Sequence, residues 1–474
     1  MKQILVIILI TSFYYLSPAQ APDTLWIKKY GGIDQDYGRY VQQTNDGGYI
    51  ITGDTKSFGA GLNDVFLVKT NSNGDTIWTR TYGGNQDDNA SCVRQTNDRG
   101  YIIFGETVSF GSDYWKGWLI KTDADGDTSW TKLIGENRHF FIQSGQQLSG
   151  GNLIFVGYTK ASGAGQEDLW LVKTDASGDT IWTKTIGGSE GELSYCIDET
   201  GDGGYIIAAS TGSSNDRNCW LIRTDQSGDT IWTKTFGGVK DDYMCSVQQT
   251  SDNGFILAGR TRSFGTSNNY YDLWLIKTDF SGDTVWTKTY GGTGNDFAET
   301  VQQTLDGGFI IAGRLGDASI IKTNSSGDTL WTKSIEGVNG SHIQQTKDGG
   351  FILLAYTYSS STLADFCLIK TVSNPNEADR NNEYSIPLKF NLEQNYPNPF
   401  NPTTNIEFSV GSYEYITLKV YDILGREITI LINEETPAGT YKIEFDGSEL
   451  TSGVYFYRMQ SENFTNTKKF ILLR

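Results

Sequence analysis

The sequence is poor in the residues that most often carry enzyme chemistry. Of 474 residues only two are histidines, His139 and His342, and neither stands in a metal-ligand spacing or beside a nucleophile motif. Proline is scarce as well: all eight lie outside residues 23–374, so nothing in that stretch removes a donor from a β-ladder. The five cysteines (Cys92, Cys196, Cys219, Cys245 and Cys367) are an odd number without CxxC spacing. They read as small buried hydrophobes rather than a disulfide frame or a zinc site. Positive charge is short: the net charge is −18, and even residues 391–474 hold 7 basic against 11 acidic side chains. With no basic tail or face to attract a phosphate backbone, the chain is not expected to bind nucleic acid.

Long apolar runs are absent beyond the first residues. Residues 1–20 carry an early Lys2, an apolar stretch from Ile4 to Leu16, and the small-residue run Ser17-Pro18-Ala19-Gln20-Ala21. That layout is a signal peptide, whose apolar core is too short to span a bilayer comfortably. The mature protein is therefore expected to be exported and not transmembrane.

What the sequence has in abundance is a repeat. Trp26, Trp78, Trp130, Trp182, Trp232, Trp286 and Trp331 each close a short turn followed by Thr and one variable residue, at spacings of 52, 52, 52, 50, 54 and 45. A period near fifty with strand-like filling marks a propeller or array. Residues 196–236 show the unit: four short runs rich in Ile, Thr and aromatics, separated by Gly-Asp and Gly-Gly turns. We name these strands A (VQQT-like), B (YIIAG-like), C (LIKT-like) and D (DTIWTK-like). The chain begins on a D strand, Asp23 to Tyr30, and its last repeat ends on a C strand, Phe366 to Thr371. The expected fold is all-β: a seven-bladed β-propeller over residues 23–372, closed by its N-terminal strand, because a linear array would need capping units.

Two basic ladders recur in every unit. They are Lys69, Lys121, Lys173, Arg223, Lys277, Lys322 and Lys370 on strand C, and Lys28, Arg80, Lys132, Lys184, Lys234, Lys288 and Lys333 on strand D. Both read as scaffold, with stems along outer-strand apolar surface. Seven tryptophans mark strand D, and Trp118, Trp170, Trp220 and Trp274 share a strand C position. Only Trp115, in the B–C loop of the second unit, is not required by the repeat.

The A–B and C–D turns are nearly constant, whereas the B–C loops vary in length and content. In a propeller the B–C and D–A loops share one face, so the candidate ligand contacts gather there: Tyr114, Trp115, Tyr270, Tyr271, Arg260 and Arg262. Asp36, Asp88, Glu192, Asp242 and Asp296 each precede the strand A apolar position by five residues. Clustered carboxylates suit Ca²⁺, while an acid beside a Gly-Gly turn also serves as a local N–H acceptor. No cofactor other than Ca²⁺ is indicated. Two functional classes stay open: a module binding polysaccharide or protein, and a carbohydrate-active hydrolase or lyase working through carboxylates on the variable face. The shortage of catalytic motifs favours the first.

The units resemble the β-propeller repeats of large secreted bacterial proteins in their GG…D…QT.DGG.I..G.T and LIKTD..GD..W wording. After a polar linker at residues 373–390 the composition changes. Residues 391–474 resemble the type A C-terminal sorting domain of the type IX (Por) secretion system of Bacteroidetes-like bacteria. The matching residues include Pro397, Asn398 and Pro399 in Tyr396 to Pro402, Gly425 beside Arg426, Gly453-Val454-Tyr455, and the closing Lys468-Lys469. The resemblance implies a small Ig-like β-sandwich and passage through the outer-membrane type IX machinery. It also implies removal by a sortase-like protease, leaving the protein extracellular or on the outer cell surface.

Overall fold

A computed structural model describes residues 20–111, 114–135, 139–160, 167–213, 216–266, 270–316, 318–357, 365–372, 390–410, 414–436, 439–461 and 464–473. Residues 1–19 of the expected signal peptide and 373–389 of the expected linker lie outside these.

Residues 24–371 form seven four-stranded antiparallel sheets, with no helix among the described residues. Six blades are built from consecutive strands; in the first, A is Asp36–Gln43, B Tyr49–Thr55, C Asp64–Thr70 and D Thr76–Tyr82. The seventh takes A (Val338–Gln345), B (Phe351–Thr357) and C (Phe366–Thr371) from the end of the repeat region and D (Thr24–Tyr30) from its start. Trp26 pairs with Lys370 and Tyr30 with Phe366, so the N-terminal strand closes the ring.

Burial follows position in the blade. Strands B and C are buried almost throughout, while D strands alternate exposed and half-buried residues, as an outer edge must. Each D-strand Trp packs against the next blade: Trp26 meets Tyr49, Trp78 meets Tyr101 and Trp286 meets Phe309, with ring centroids 5.8–5.9 Å apart. The C–D turn of that next blade crosses the same indole. Gly74, at φ +76°, presses so closely on the Trp26 ring that a Cβ would collide with it, which explains the glycine in every such turn.

The two basic ladders differ. Strand D cations lie at the surface and reach the neighbouring blade's turn, as in Lys28–Asp75 at 2.9 Å and Lys132–Asp179 at 2.6 Å. Strand C cations do not lie along outer apolar surface as the sequence suggested. Lys69 is 3% exposed, donates to the Thr70 carbonyl at 2.8 Å and pairs with Asp46 of the A–B turn at 2.9 Å. Lys121–Asp98 and Lys277–Asp252 repeat the arrangement. A buried ammonium needs an anionic partner and several acceptors, and the A–B turn supplies them. These lysines tie the two turns of the blade's lower end together.

The residues from Asn391 onward form a three-stranded sheet (Asn391–Leu392, Thr403–Val410, Gly439–Asp446) and a four-stranded sheet. The strands of the latter are Glu427–Thr436, Glu414–Tyr421, Gly453–Gln460 and Thr465–Leu472. Their shared core includes Phe400, Ile406, Phe408, Leu418, Val420, Tyr457 and Phe470. The proline-rich motif is fastened to the last strand: Asn398 accepts from Ile471 N at 2.9 Å and donates to the Lys469 carbonyl at 3.3 Å, and Phe400 N donates to Ile471 O at 3.0 Å. Pro397 and Pro399 flank this asparagine, and the Pro397 carbonyl accepts from the Thr404 hydroxyl at 2.8 Å. Gly425, at φ +79°, completes the turn that Asp422 caps by accepting from Arg426 N at 2.9 Å. Gly453 opens the strand whose Phe456 and Tyr457 stand opposite Lys469 and Lys468.

Candidate ligand site at the channel mouth

The seven A strands surround a channel of about 670 Å³. Every A strand carries a bulge at the same point, between Gly38 and Tyr40 in the first blade and between Met244 and Ser246 in the fifth. A bulge re-aims side chains without ending the ladder, and here it brings Arg39, Tyr195, Cys245 and Glu299 to the channel wall.

Toward the A–B turns the wall repeats. The first Gln of one blade accepts from the backbone N–H of the second Gln of the next: Gln42 from Gln95 at 2.7 Å, Gln248 from Gln303 at 2.7 Å, and Gln344 from Gln43 at 2.8 Å across the closure. The Gln-Gln signature is thus a blade-to-blade seam. Asp198 takes the same role toward Gln249 at 3.1 Å.

Toward the B–C and D–A loops the wall stops repeating. One strand B position holds Asp54, Glu106, Tyr158, Ser210, Arg260, Arg314 and Tyr356 in successive blades. The strand A residues facing them in register include Tyr37, Asn89, Phe141, Leu193, Tyr243 and Phe297. The B–C and D–A loops do share this face, joined by Val108 N to Asp87 O at 3.1 Å and Asp296 N to Tyr271 O at 2.7 Å.

Three of the candidate contacts meet. The Arg260 guanidinium lies 4.9 Å from the Tyr243 ring and 5.0 Å from Tyr271, and that of Arg262 lies 4.4 Å from Tyr271. Arg262 also pairs with Asp241 at 3.6 Å, and the two tyrosine rings meet edge-on at 6.1 Å. Tyr270, 42% exposed, faces outward beside them. Trp115 and Tyr114 belong to a second cluster between blades two and three. Trp115 N donates to His139 Nδ1 at 3.3 Å and its ring lies 6.0 Å from Phe141, while Tyr114 meets His139 edge-on. Phe141 stacks on Tyr158 at 4.8 Å. Trp115 is half-buried against the next blade, leaving part of the ring at the surface.

The five acids proposed for Ca²⁺ do not converge; each serves its own blade. Asp88, fully buried, accepts from Gly84 N at 2.7 Å and Ser109 Oγ at 2.6 Å, with Thr107 Oγ1 on its other oxygen. Asp36 and Asp242 repeat this set with Thr55, Ser57 and Thr261, Ser263. Glu192 accepts from Gly188 N at 3.2 Å and Thr211 at 3.0 Å; Asp296 accepts from Gly292 N at 3.0 Å and Gly316 N at 2.7 Å. A second acid from the preceding blade stands near some of them, as Asp64 does near Asp88. Among the described residues no group of three or more His, Cys, Asp or Glu is arranged to hold a metal.

Reading loops alone missed the acidic arc of the mouth. Asp54, 3% exposed, pairs with Arg39 at 2.9 Å and accepts from Ala90 N of the next blade at 2.9 Å. Burial, with Asp54 nearby, pushes the Glu106 carboxyl up to about 8, and its Oε2 has no hydrogen-bond partner. The signal was available in the strand B alignment, where two acids and two arginines replace the small or aromatic residues of other blades. Because the folded-state value is raised, the native protein holds a proton that the unfolded chain releases. Stability from this group is therefore complete below the ordinary carboxyl range and lost as pH rises through about 8. Glu106→Gln is expected to be more stable than the parent at pH 8.5, by about 2 kcal/mol after allowance for channel solvent, and to match it near pH 4. Thermal scans at both pH values check this; equal gain at both would show that the carboxyl is not titrating. Asp54 and Glu299 are also raised by burial, so the difference between variant and parent, not the parent curve alone, carries the result.

Residues 394–473 match the family model of the secretion system C-terminal sorting domain. No curated protein matches the sequence. Among solved structures, PorZ, a surface component of the type IX secretion system of Porphyromonas gingivalis, aligns with a TM-score of 0.45 and 12% identity. That alignment covers 94% of this chain and 60% of PorZ, so the chain spans less than two thirds of that protein. A protein of unknown function from Dyadobacter fermentans aligns at 0.41 and 10% identity, over 74% of this chain and 98% of that one. The polysaccharide lyase Uly1 aligns at 0.49 and 8% identity, over 74% of this chain and all of Uly1. No helix among the described residues is long and apolar enough to cross a membrane. The chain is a secreted β-propeller protein that carries a type IX secretion system C-terminal sorting domain and is addressed to the cell surface or beyond it.

Proposed function

We propose that the propeller is a binding module that holds a polysaccharide or protein ligand at its channel mouth. The observation that carries this reading is the gathering there of two aromatic clusters that the repeat does not require. The Trp115–Phe141–Tyr158 patch and the Arg260–Tyr271 stack stand on strand ends and short loops, fixed by a scaffold that is otherwise the same in every blade. Rigid aromatic faces with polar edges are suited to sugar rings and to peptide side chains. A glycan and protein array combined with a reducing-sugar assay tests it. Retention without new reducing ends is expected, and Trp115→Ala should weaken binding about tenfold, the scale of one lost aromatic contact.

A second reading, a hydrolase or lyase, is favoured by one observation: the Glu106 carboxyl, its Oε2 without a hydrogen-bond partner, stands close to Asp54, and burial raises its pKa. A proton donor beside a second carboxylate is the minimum equipment for glycosidic bond cleavage. Formation of new reducing ends, abolished by Glu106→Gln, would replace the binding reading with this one.

A further inference from the structure

Lysine and arginine are unevenly distributed in this propeller. Both scaffold ladders are lysine except at Arg80 and Arg223. Six of the other arginines lie on the channel wall or at its mouth, Arg39, Arg94, Arg217, Arg260, Arg262 and Arg314, where they are joined by Lys56, Lys116, Lys160 and Lys240. Lysine suffices where a point charge must reach a turn, whereas the planar guanidinium suits a carboxylate or sulfate oxygen pair and stacks on aromatic faces.

Around the mouth the strand B charges fall in two sectors, although Arg39 stands with Asp54 and Asp241 with Arg262. Asp54 and Glu106 stand on blades one and two, and Arg260, Arg262 and Arg314 on blades five and six. Several arginines are committed internally: Arg39 to Asp54, Arg262 to Asp241 and Arg217 to Glu167 at 3.6 Å. Arg260 is not. It lines the channel beside two tyrosine rings that meet edge-on, its Nε lacks an acceptor, and the described residues give it no ion-pair partner, although Glu299 of the next blade feels its charge. The rings hold the guanidinium plane in place, so little freedom is lost when a ligand oxygen pair arrives. The channel it faces is lined chiefly by Gln and Ser, with cysteines, tyrosines and a few aliphatic side chains among them, which suits a hydroxyl-rich chain over an apolar peptide.

We infer that the ligand is an acidic glycan, with a carboxylate or sulfate seated on Arg260 and the chain running along the Arg262–Arg314 arc. This rests on the binding reading above and narrows it. The test uses the intact propeller and four probes: an oligogalacturonide, the same oligomer methyl-esterified, a sulfated galactan oligomer, and poly-glutamate. Binding to the charged glycans is expected to exceed that to the esterified one at least about tenfold, the scale of a charge-assisted hydrogen bond, and to weaken from 0.05 to 0.5 M salt. The preferred charged glycan identifies the anion as carboxylate or sulfate. Arg260→Gln should remove at least about nine-tenths of the affinity and Arg260→Lys should restore part of it. Arg314→Gln, at an exposed position, should cost several-fold with an unchanged melting temperature. Equal binding of charged and esterified oligomers, indifference to both substitutions, or capture of poly-glutamate alone would overturn the acidic-glycan inference while leaving a binding module. Failure to retain any glycan or protein would overturn the binding reading itself.

Discussion

Removal of residues 23–30 is expected to lower the melting temperature of the propeller sharply and to make it aggregate. This strand completes the last blade, pairing from Thr24–Thr371 to Tyr30–Phe366. It also closes the ring: Trp26 packs on Tyr49 of the first blade, and Tyr30 donates to Gly74 O at 2.6 Å and belongs to a core shared with Val41 and Phe66. Losing two large aromatics from an inter-blade core costs at least about 5 kcal/mol, read as a melting point lower by roughly 10 °C. The strand's departure leaves Phe366–Thr371 as an unpaired edge beside buried apolar surface, a template for intermolecular pairing. Calorimetry and light scattering on residues 21–372 and 31–372 decide the point. An unchanged melting temperature and solubility in the shorter protein would mean that the closing strand is dispensable.

Deletion of residues 391–474 is expected to abolish surface delivery and leave a folded propeller in the periplasm. The four strands of every blade lie within residues 24–371, and none is supplied by the tail. The core of the sorting domain, from Leu392 to Leu472, is likewise drawn from its own two sheets. The truncated protein should therefore keep its thermal transition while its extracellular fraction falls to background. Mass spectrometry of the native exported form should find a new C-terminus between Val372 and Asn395. Normal export of the truncated chain, or surface protein ending at Arg474, would contradict the sorting role.

Much of the architecture was legible because it is written in short-range chemistry. A Gly at positive φ, a Trp three residues after a turn Asp, and alternating Ile and Thr specify hairpins locally, and seven copies specify the ring. The order of the repeats, D first and C last, was enough to anticipate the closing strand. The sorting motif was equally plain, since Pro397, Asn398 and Pro399 and the closing lysines are contiguous landmarks. The strand C lysines were misread because burial depends on what faces a strand: Lys69 looks like a surface residue until the A–B turn places Asp46 over it.

The channel mouth was only half legible. Variable loops pointed to Arg260, Arg262 and Tyr271, and the structure places them in one stack. Tyr243, Glu106 and Asp54 were invisible to that search because they sit on regular strands, where a changed residue looks like ordinary core variation. Trp115 and Phe141 belong to different blades, yet their rings meet.

The sequence by itself determined the strands, the number of blades and the export address, because each rests on contacts between near neighbours in the chain or on a contiguous motif, and the order of the repeats, D first and C last, added the fastening of the ring. Only the tertiary structure decided which charges share the mouth, which lysines are buried, and that the D–A acids serve their own turns. Closure of the ring sets equivalent positions of successive blades side by side around one axis. A single substitution in one repeat thereby gains neighbours some fifty residues away.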